Sequence, residues 1–344
     1  MEQLDVVDVN TNKARQLEMS EEERRRRARR ARARRLAIKK RKRQRRIRLC
    51  VCGLVILVFS VIIGKWDTIM ESLKGTEADS SNIQSVVAEK AFLYEVEFED
   101  FFVKYKPEAL EESQVYKRLK ELSEEYPQLE RIYESCDNYP IQMLAALCNN
   151  PEMYQYMEGY LRYEAGDTTI AKLSELSEEE KKQKYPLFLQ WDARWGYEEY
   201  GDFNIALSGC GPTTLAMAIA AVANDTDITP DKVAKYSMEN GFYVEGTGTA
   251  WRLMTDGAET FGLQVKELVL DEEVMKQAID DGKVIICSVR QGDFTSGGHF
   301  IMIYGYDKNG FKINDPNCIY RSSRYWTYEE LKSQIRILWA YESA

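Results

Sequence analysis

The sequence predicts an α+β fold for the carboxy-terminal half of the chain, with helices packed on a mainly antiparallel sheet. Three observations lead to this prediction. Residues 212–223, PTTLAMAIAAVA, are small and apolar throughout, which is typical of a buried helix. Residues 283–289, KVIICSV, and 299–306, HFIMIYGY, are β-branched and aromatic runs typical of buried strands. A shorter strand is expected at 311–315, FKIND, after the hairpin turn DKNG.

The chain of 344 residues begins with a strongly basic segment. Residues 1–48 carry 19 Lys or Arg against 7 Asp or Glu, a net charge of +12, whereas the rest of the chain carries −21. Alone, this segment is also typical of a nucleic-acid-binding tail or a nuclear localisation signal. Because an apolar run follows it, we predict a cytoplasmic tail that contacts anionic lipid, with no nucleic-acid partner.

An apolar run, LCVCGLVILVFSVIIG, follows the basic segment. It is shorter than the about 20 residues that span a bilayer, but Arg48 and Lys65 can extend it by snorkelling, and Trp66 suits the interface. We therefore predict a single transmembrane signal anchor over residues 49–66, with the amino terminus in the cytoplasm and the carboxy-terminal domain outside the cell. A buried core helix and a cleaved signal peptide are the alternatives, although no A-x-A cleavage site follows the run.

The middle of the chain is predicted to be a linker followed by helices. Residues 67–90 are polar and contain turn-forming residues, which indicates a linker. In residues 91–184, apolar positions recur every three to four residues in VYKRLKELSEEY, and Pro127 interrupts the pattern. Two more short helices are expected in IQMLAALCNNPEMYQYMEGYLRY, separated at Asn149, Asn150 and Pro151. No set of catalytic residues is evident here, so we expect a helical stalk or subdomain.

The cysteines do not form a recognisable metal or disulfide pattern. Two of the seven lie in the apolar run, and the other five are Cys136, Cys148, Cys210, Cys287 and Cys318. No C-x-x-C spacing occurs and the chain has one histidine, which argues against a zinc site. Few cysteines for so large a domain argue against a disulfide framework, and Cys136–Cys148 is the one pairing considered. We expect neither a metal nor another cofactor.

Cys210 is the candidate nucleophile. It lies in the segment SGCGPT, where Pro212 suits the first turn of a helix, so Cys210 is expected at the helix N-terminus. There the helix dipole favours a thiolate. The glycines on either side are expected to let a substrate backbone approach closely. The alternative is a buried structural cysteine.

His299 and Asp315 are the candidate base and its orienting group. His299 follows two glycines and opens a strand, so its ring is expected at a sheet end, facing open space, and it titrates near neutral pH. Asp315 comes sixteen residues later, at the end of the next strand. Because the two strands of a hairpin run antiparallel, the start of the first lies beside the end of the second. Asp315 is therefore expected to reach the ring, and its alternative role is that of a turn residue before Pro316.

Attack on a carbonyl also requires oxyanion donors. The backbone N–H of Cys210 is one candidate. The side-chain amide of Gln190, in the segment FLQWD, is a second, although residue chemistry alone does not distinguish Gln190 from the other glutamines.

Four segments in order, FLQWDARWG, SGCGPTTLAM, GGHFIMIYGY and INDPN, resemble the double-glycine-leader, bacteriocin-processing type of papain-like cysteine peptidase. They look most like the stand-alone peptidase-like domains of Gram-positive bacteria. The resemblance covers residues 185–344 and implies a papain-like fold, with Cys210 as nucleophile, His299 as base, Asp315 as orienting residue and Gln190 as oxyanion donor. Gln190 lies twenty residues before Cys210, a larger separation along the chain than the papain pattern has between these two residues. Classical relatives are fused to exporter modules, and this chain has no G-x-x-x-x-G-K-[ST] loop, so export and leader cleavage do not follow.

These expectations together describe a membrane-anchored, extracytoplasmic thiol peptidase that acts on a peptide or protein substrate. One alternative is a cell-wall peptide amidase or endopeptidase with the same three residues, although an acidic domain suits an anionic wall poorly. Another is a non-catalytic binding protein on a peptidase fold, which the presence of Cys210, His299 and Asp315 disfavours. The sequence does not predict an oligomeric state.

Overall fold

The computed structural model describes residues 106–167, 169 and 174–344, which belong to one compact unit. The predicted basic tail, transmembrane anchor and linker lie outside the described residues. Within the described part of the chain, no helix is both long enough and apolar enough to cross a bilayer.

The described residues form short helices and strands, numbered here in chain order. The α-helices are α1 Glu112–Glu125, α2 Glu130–Glu134, α3 Ile141–Asn149, α4 Tyr154–Glu164, α5 Glu178–Lys182, α6 Ile205–Ser208, α7 Cys210–Ala218, α8 Pro230–Glu239, α9 Asp256–Glu259, α10 Glu272–Asp280, α11 Ile319–Ser323 and α12 Tyr328–Lys332. The strands are β1 Glu199–Tyr200, β2 Phe203–Asn204, β3 Tyr243–Val244, β4 Gly248–Thr249, β5 Leu263–Glu267, β6 Val284–Val289, β7 His299–Asp307, β8 Gly310–Asn314, β9 Tyr325–Trp326 and β10 Ile335–Ser343.

The first part of the described chain is helical, as its periodicity predicts. In α1 the apolar residues that recur every three or four positions are buried: Val115, Leu119 and Leu122. Pro127 begins a 3-10 turn just after α1 ends. The break expected at residues 149–151 does separate α3 from α4. The Asn150 side chain caps the 3-10 turn Pro151–Met153 by accepting a hydrogen bond from the amide of Glu152.

Residues 112–164, the helical segment, share one hydrophobic core with the domain that follows. The rings of Tyr156 and Tyr197 stack with their centroids 4.5 Å apart. The Tyr197 hydroxyl donates to the Tyr156 carbonyl over 2.9 Å, and the Tyr156 hydroxyl donates to the Gly196 carbonyl over 3.3 Å. An aromatic pair of this kind contributes about 0.5–1.5 kcal/mol beyond the area that it buries. The helical segment therefore packs onto its neighbour as part of one structure.

A six-stranded antiparallel sheet in the order β5-β10-β6-β7-β8-β9 lies at the centre of the carboxy-terminal domain. Strands β6, β7 and β8 agree with the three predicted strands to within one residue at each end. Asp307 pairs with Gly310 across the predicted hairpin turn. The prediction of helices packed on an antiparallel sheet is confirmed.

Helix α7 connects the candidate nucleophile to the sheet. It begins at Cys210, two residues before the predicted start, and continues as a π-helical turn over Ile219–Ala223. Small residues in the helix let its backbone lie close to β7. The Thr214 hydroxyl is within hydrogen-bonding distance of the carbonyls of Cys210, at 2.7 Å, and of Phe300 on β7, at 3.3 Å. The first residue of α7 is thereby held beside His299, the first residue of β7.

Candidate active site

Cys210 is half-buried, and close packing inside the protein requires the glycines on either side of it. A Cβ on Gly209 would lie 2.6 Å from the carbonyl oxygen of Ile205, and one on Gly211 would lie 2.6 Å from the side chain of Thr249. A larger residue at either position would displace the turn that carries the thiol. These glycines were expected to admit a substrate backbone, whereas protein atoms lie against both of them.

The imidazole of His299 is buried, with 6% of the residue exposed. The expectation that the ring faces open space is therefore wrong, because Cys210 on α7 and Asp315 after β8 both contact it. Nε2 lies 2.7 Å from Oδ1 of Asp315, and the Cys210 thiol hydrogen-bonds with the ring. An ionised carboxylate only accepts hydrogen bonds, so Nε2–H donates to Asp315 and Nδ1 is the nitrogen left for the thiol.

The charges of His299 and Asp315 stabilise each other inside the protein. Burial disfavours the imidazolium, but the Asp315 carboxylate and its hydrogen bond outweigh burial, and they raise the pKa of His299 above its usual value. Burial likewise disfavours the Asp315 carboxylate, yet Arg321 and His299 together hold the pKa of Asp315 below its usual range. The contact with Asp315 therefore favours an imidazolium beside the Cys210 sulfur.

Arg321 was not predicted from the sequence, yet it is a direct partner of Asp315. Its Nε donates to Oδ2 of Asp315 over 2.5 Å, and the amide of Asn317 donates to Oδ1 over 2.8 Å. Arg321 is buried in α11, six residues after Asp315. No periodicity or motif links the two positions. The one signal in the sequence is a charged residue inside the otherwise uncharged segment NCIYRSS.

Gln190 lies between the Asp315 segment and the turn before Cys210. Its backbone amide donates to the Pro316 carbonyl, and its side-chain Nε2 donates to the Ala206 carbonyl, both over 2.7 Å. Its buried Oε1 has no hydrogen-bond partner among the described residues. A side-chain amide carries two N–H bonds, so one is used here and an oxyanion would require the other. The oxyanion role of Gln190 stays a prediction.

The other described cysteines differ from Cys210 in their surroundings. None of the five forms a disulfide, so the Cys136–Cys148 pairing considered from the sequence is not formed. The Cys148 thiol instead donates to the Val115 carbonyl over 3.5 Å. Burial raises the pKa of Cys148 to about 12, and it also raises the pKa of Cys287 and of Cys318. Buried thiols whose pKa is raised in this way are unreactive. Among the described cysteines, Cys210 is the one that hydrogen-bonds with a histidine.

The carboxy-terminal half of the chain is similar to known peptidase domains. Residues 182–343 match the model of the Peptidase_C39 like family. The peptidase domain of Streptococcus ComA, a bi-functional ABC transporter involved in a quorum sensing pathway, is 18% identical, with 43% of this chain and 99% of that chain covered and a TM-score of 0.32. A protein from Bacillus anthracis described as a C39-like peptidase is 15% identical, with 46% and 95% covered and a TM-score of 0.30.

No curated protein matches the chain significantly. The family match begins three residues before the predicted boundary at 185 and ends one residue before the last residue of the chain. The predicted resemblance to this type of peptidase is confirmed over residues 182–343, which are just under half of the chain.

Proposed function

We propose that this protein is a cysteine peptidase that cleaves peptide bonds through Cys210, His299 and Asp315. The observation that carries the proposal is the buried His299 ring, which is bound to Asp315 through Nε2 and is in contact with the Cys210 thiol. This is the arrangement of nucleophile, base and orienting group that thiol catalysis requires. The family match supports a peptide or protein as the substrate.

In the proposed reaction, the Cys210 thiol gives its proton to Nδ1 of His299, and the thiolate attacks the carbonyl carbon of the scissile bond. A C–S bond forms and the carbonyl π electrons move to the oxygen, which the N–H groups of Cys210 and Gln190 stabilise. Collapse of this intermediate breaks the C–N bond, and the His299 imidazolium protonates the leaving amine. His299 then accepts a proton from water, which attacks the thioester and releases the acid and the Cys210 thiol.

Asp315 supports this cycle through charge and orientation. Its hydrogen bond fixes the tautomer of His299, so Nδ1 faces the sulfur. The raised pKa of His299 favours the imidazolium that forms when the thiol loses its proton.

We also infer that the protein is held in the membrane by one span, with the peptidase domain outside the cytoplasm. The charge asymmetry around residues 49–66 supports this topology. It would bring the peptidase to substrates at the cell surface.

Turnover of a peptide library by the full-length protein tests the catalytic proposal. We expect Cys210→Ala to lower turnover by at least about a thousandfold, because removal of a nucleophile abolishes the covalent route. Cys136→Ala, which alters another half-buried free cysteine, should leave turnover unchanged. Full turnover in a folded Cys210→Ala variant would contradict the proposal. Cleavage of cell-wall peptides but not of the library would instead favour an amidase or wall endopeptidase.

Alkylation by iodoacetamide gives a test that does not depend on the substrate. We expect Cys210 to react faster than Cys136 at mildly acidic pH, because the Cys210 sulfur contacts the His299 ring, whereas burial and Asp137 raise the pKa of Cys136. Peptide mapping by mass spectrometry measures both rates in one sample. Equal rates in the folded protein would indicate a structural cysteine and a binding protein on a peptidase fold.

A further inference from the structure

A buried glutamate of the helical segment reaches the part of the chain that carries the Asp315 partner. Glu152 lies in the 3-10 turn between α3 and α4 and is 1% exposed. Its carboxylate accepts hydrogen bonds from the amide of Ile319 over 2.7 Å and from the amide of Tyr320 over 2.9 Å. The Cys318 thiol donates to the same carboxylate over 3.6 Å. Three consecutive residues before Arg321 are thus bound to one side chain.

Arg321 lies between two carboxylates. It donates to Asp315 through Nε, and Glu152 is close enough to interact with it electrostatically. Its Nη1 and Nη2 are buried and have no hydrogen-bond partner among the described residues. A buried guanidinium without compensating charge is costly, so Arg321 depends on the negative charge of both Asp315 and Glu152.

The turn that contains Glu152 also holds the other side of the Asp315 segment. The Asn150 side chain donates to the carbonyl of Asn317 and accepts a hydrogen bond from the Glu152 amide over 3.2 Å. The indole of Trp191 donates to the same Asn317 carbonyl over 2.9 Å. Residues 315–321 therefore have their conformation fixed largely by contacts with the helical segment and with the first residues of the peptidase domain.

We propose that Glu152 is a positioning residue of the peptidase site, which holds residues 318–321 so that Arg321 and Asp315 set the orientation and charge of the His299 ring. The helical segment is then part of the catalytic unit and not a spacer. This inference rests on the proposed cysteine peptidase function and extends it.

The charge of Glu152 predicts how the site responds to its loss. Glu152→Gln keeps the shape of the side chain but leaves Arg321 with Asp315 as its one anionic partner. Arg321 then interacts more strongly with the Asp315 carboxylate. The carboxylate consequently stabilises the His299 imidazolium less. The groups that face Glu152 are Arg321 and Cys318, and burial raises the pKa of Glu152 to about 7. The wild-type carboxylate is therefore mostly neutral below that pH, so the variant should differ from the wild type chiefly above it.

The experiment measures the rate of Cys210 alkylation by iodoacetamide in the full-length wild type and Glu152→Gln between pH 5.5 and 8.5. We expect nearly equal rates at the acidic end and a roughly three- to tenfold lower rate for Glu152→Gln near pH 8, as expected for one charge removed at an intermediate distance. Glu158→Gln, an exposed glutamate on α4, is the matched control and should follow the wild type. Labelling of buried Cys318 in the same samples reports whether the variant has loosened the structure.

A Glu152→Gln rate equal to the wild-type rate near pH 8, or a rise in Cys318 labelling that parallels the loss at Cys210, would overturn the positioning role. Glu152→Asp keeps the charge on a shorter side chain and should give rates above those of Glu152→Gln near pH 8. If Glu152→Gln does not fold, Glu152→Asp takes its place, and a Glu152→Asp rate equal to the wild-type rate at every pH overturns the inference, because the shorter side chain cannot hold the amides of Ile319 and Tyr320 in the same way. If wild-type Cys210 reacts no faster than Cys136, the proposed peptidase function fails, and this inference fails with it.

Discussion

Among the individual residues, Asp315 determines the charge of the site because it binds two cations through different oxygens. Oδ1 accepts from His299 and Oδ2 accepts from Arg321. Arg321 fixes the plane of the carboxylate, so the hydrogen bond to His299 has one direction. Arg321 also takes part of the negative charge that would otherwise stabilise the imidazolium. The orientation of the ring and the charge on the ring therefore depend on the same pair.

Substitution of His299 and Asp315 should separate their roles. We expect His299→Ala to abolish turnover almost completely, because the chain has no other histidine to act as base. Asp315→Asn should reduce turnover less, because the amide oxygen can still accept a hydrogen bond from Nε2, and Cys210 should still be alkylated. Turnover of a peptide substrate by both variants, with melting curves, measures the difference. Full turnover in a folded His299→Ala protein would contradict the mechanism.

The double variant and a stability control complete this test. His299→Ala with Asp315→Asn should cost about as much turnover as His299→Ala alone, because members of one catalytic unit are not additive. Asp315→Asn also removes the carboxylate that Arg321 donates to, which should lower the free energy of unfolding by about 3–5 kcal/mol. Adding Arg321→Met to Asp315→Asn should restore part of that stability. If the double variant is no more stable than Asp315→Asn, the ion pair of Asp315 and Arg321 makes no net contribution to stability.

Glu152→Gln should change how stability depends on pH. Burial raises the pKa of Glu152 to about 7, whereas a glutamate in an unfolded chain titrates near about 4.3. Between these values the folded protein binds more protons than the unfolded chain, so this carboxyl lowers the free energy of unfolding as pH rises. The full effect is on the order of 3 kcal/mol.

Urea unfolding at several pH values measures this effect. The free energy of unfolding of Glu152→Gln, relative to the wild type, should increase by up to that amount between about pH 5 and pH 8. Glu158→Gln should show no such trend, since its parent side chain is exposed. A relative stability of Glu152→Gln that stays constant with pH would be inconsistent with a buried carboxyl of raised pKa.

For the helices and strands, the sequence predicts what depends on local periodicity. The three strands, their hairpin and α1 follow from apolar spacing, and antiparallel pairing was enough to bring Asp315 to His299. Arg321 and Glu152 were not predicted because no periodic pattern links them to their partners. In the case of Glu152 and Ile319, the two residues lie 167 positions apart along the chain.

Gly209→Ala tests the rigidity of the turn that begins α7. The added Cβ would meet the carbonyl oxygen of Ile205 at 2.6 Å and its Cα at 2.9 Å, and both are backbone atoms that cannot rotate away. We expect the free energy of unfolding to fall by about 2–3 kcal/mol, and the alkylation rate of Cys210 to fall as the turn shifts. Gly297→Ala, where a Cβ has no neighbour within 4 Å, is the control for both measurements. Equal losses in the two variants would show that the turn tolerates a side chain.

In the molecule as a whole, the helical segment and the peptidase domain depend on each other. They share one hydrophobic core, and the helical segment supplies Glu152 and Asn150 to the residues around Asp315. A shortened protein that begins at residue 185 would expose this apolar surface and leave the Arg321 charge less compensated. The family match alone therefore does not define the smallest active unit.

The topology of the full chain gives the last prediction. Residues 1–48 carry a net charge of +12 beside the apolar run, so we expect them in the cytoplasm and residues 67–344 outside. Protease added to intact cells should degrade the carboxy-terminal domain, and in inverted membrane vesicles it should remove the basic tail instead.

Replacing the basic residues of 39–48 with glutamine should weaken or reverse the orientation of the chain in the membrane, because charges within about 15–20 residues of a span set its orientation. The same number of replacements, eight, among the lysines of residues 181–332 should have no effect, since they lie far from the span. Protection of the carboxy-terminal domain in intact cells, with the chain still in the membrane fraction, would reverse the assignment and place the substrates of the peptidase in the cytoplasm.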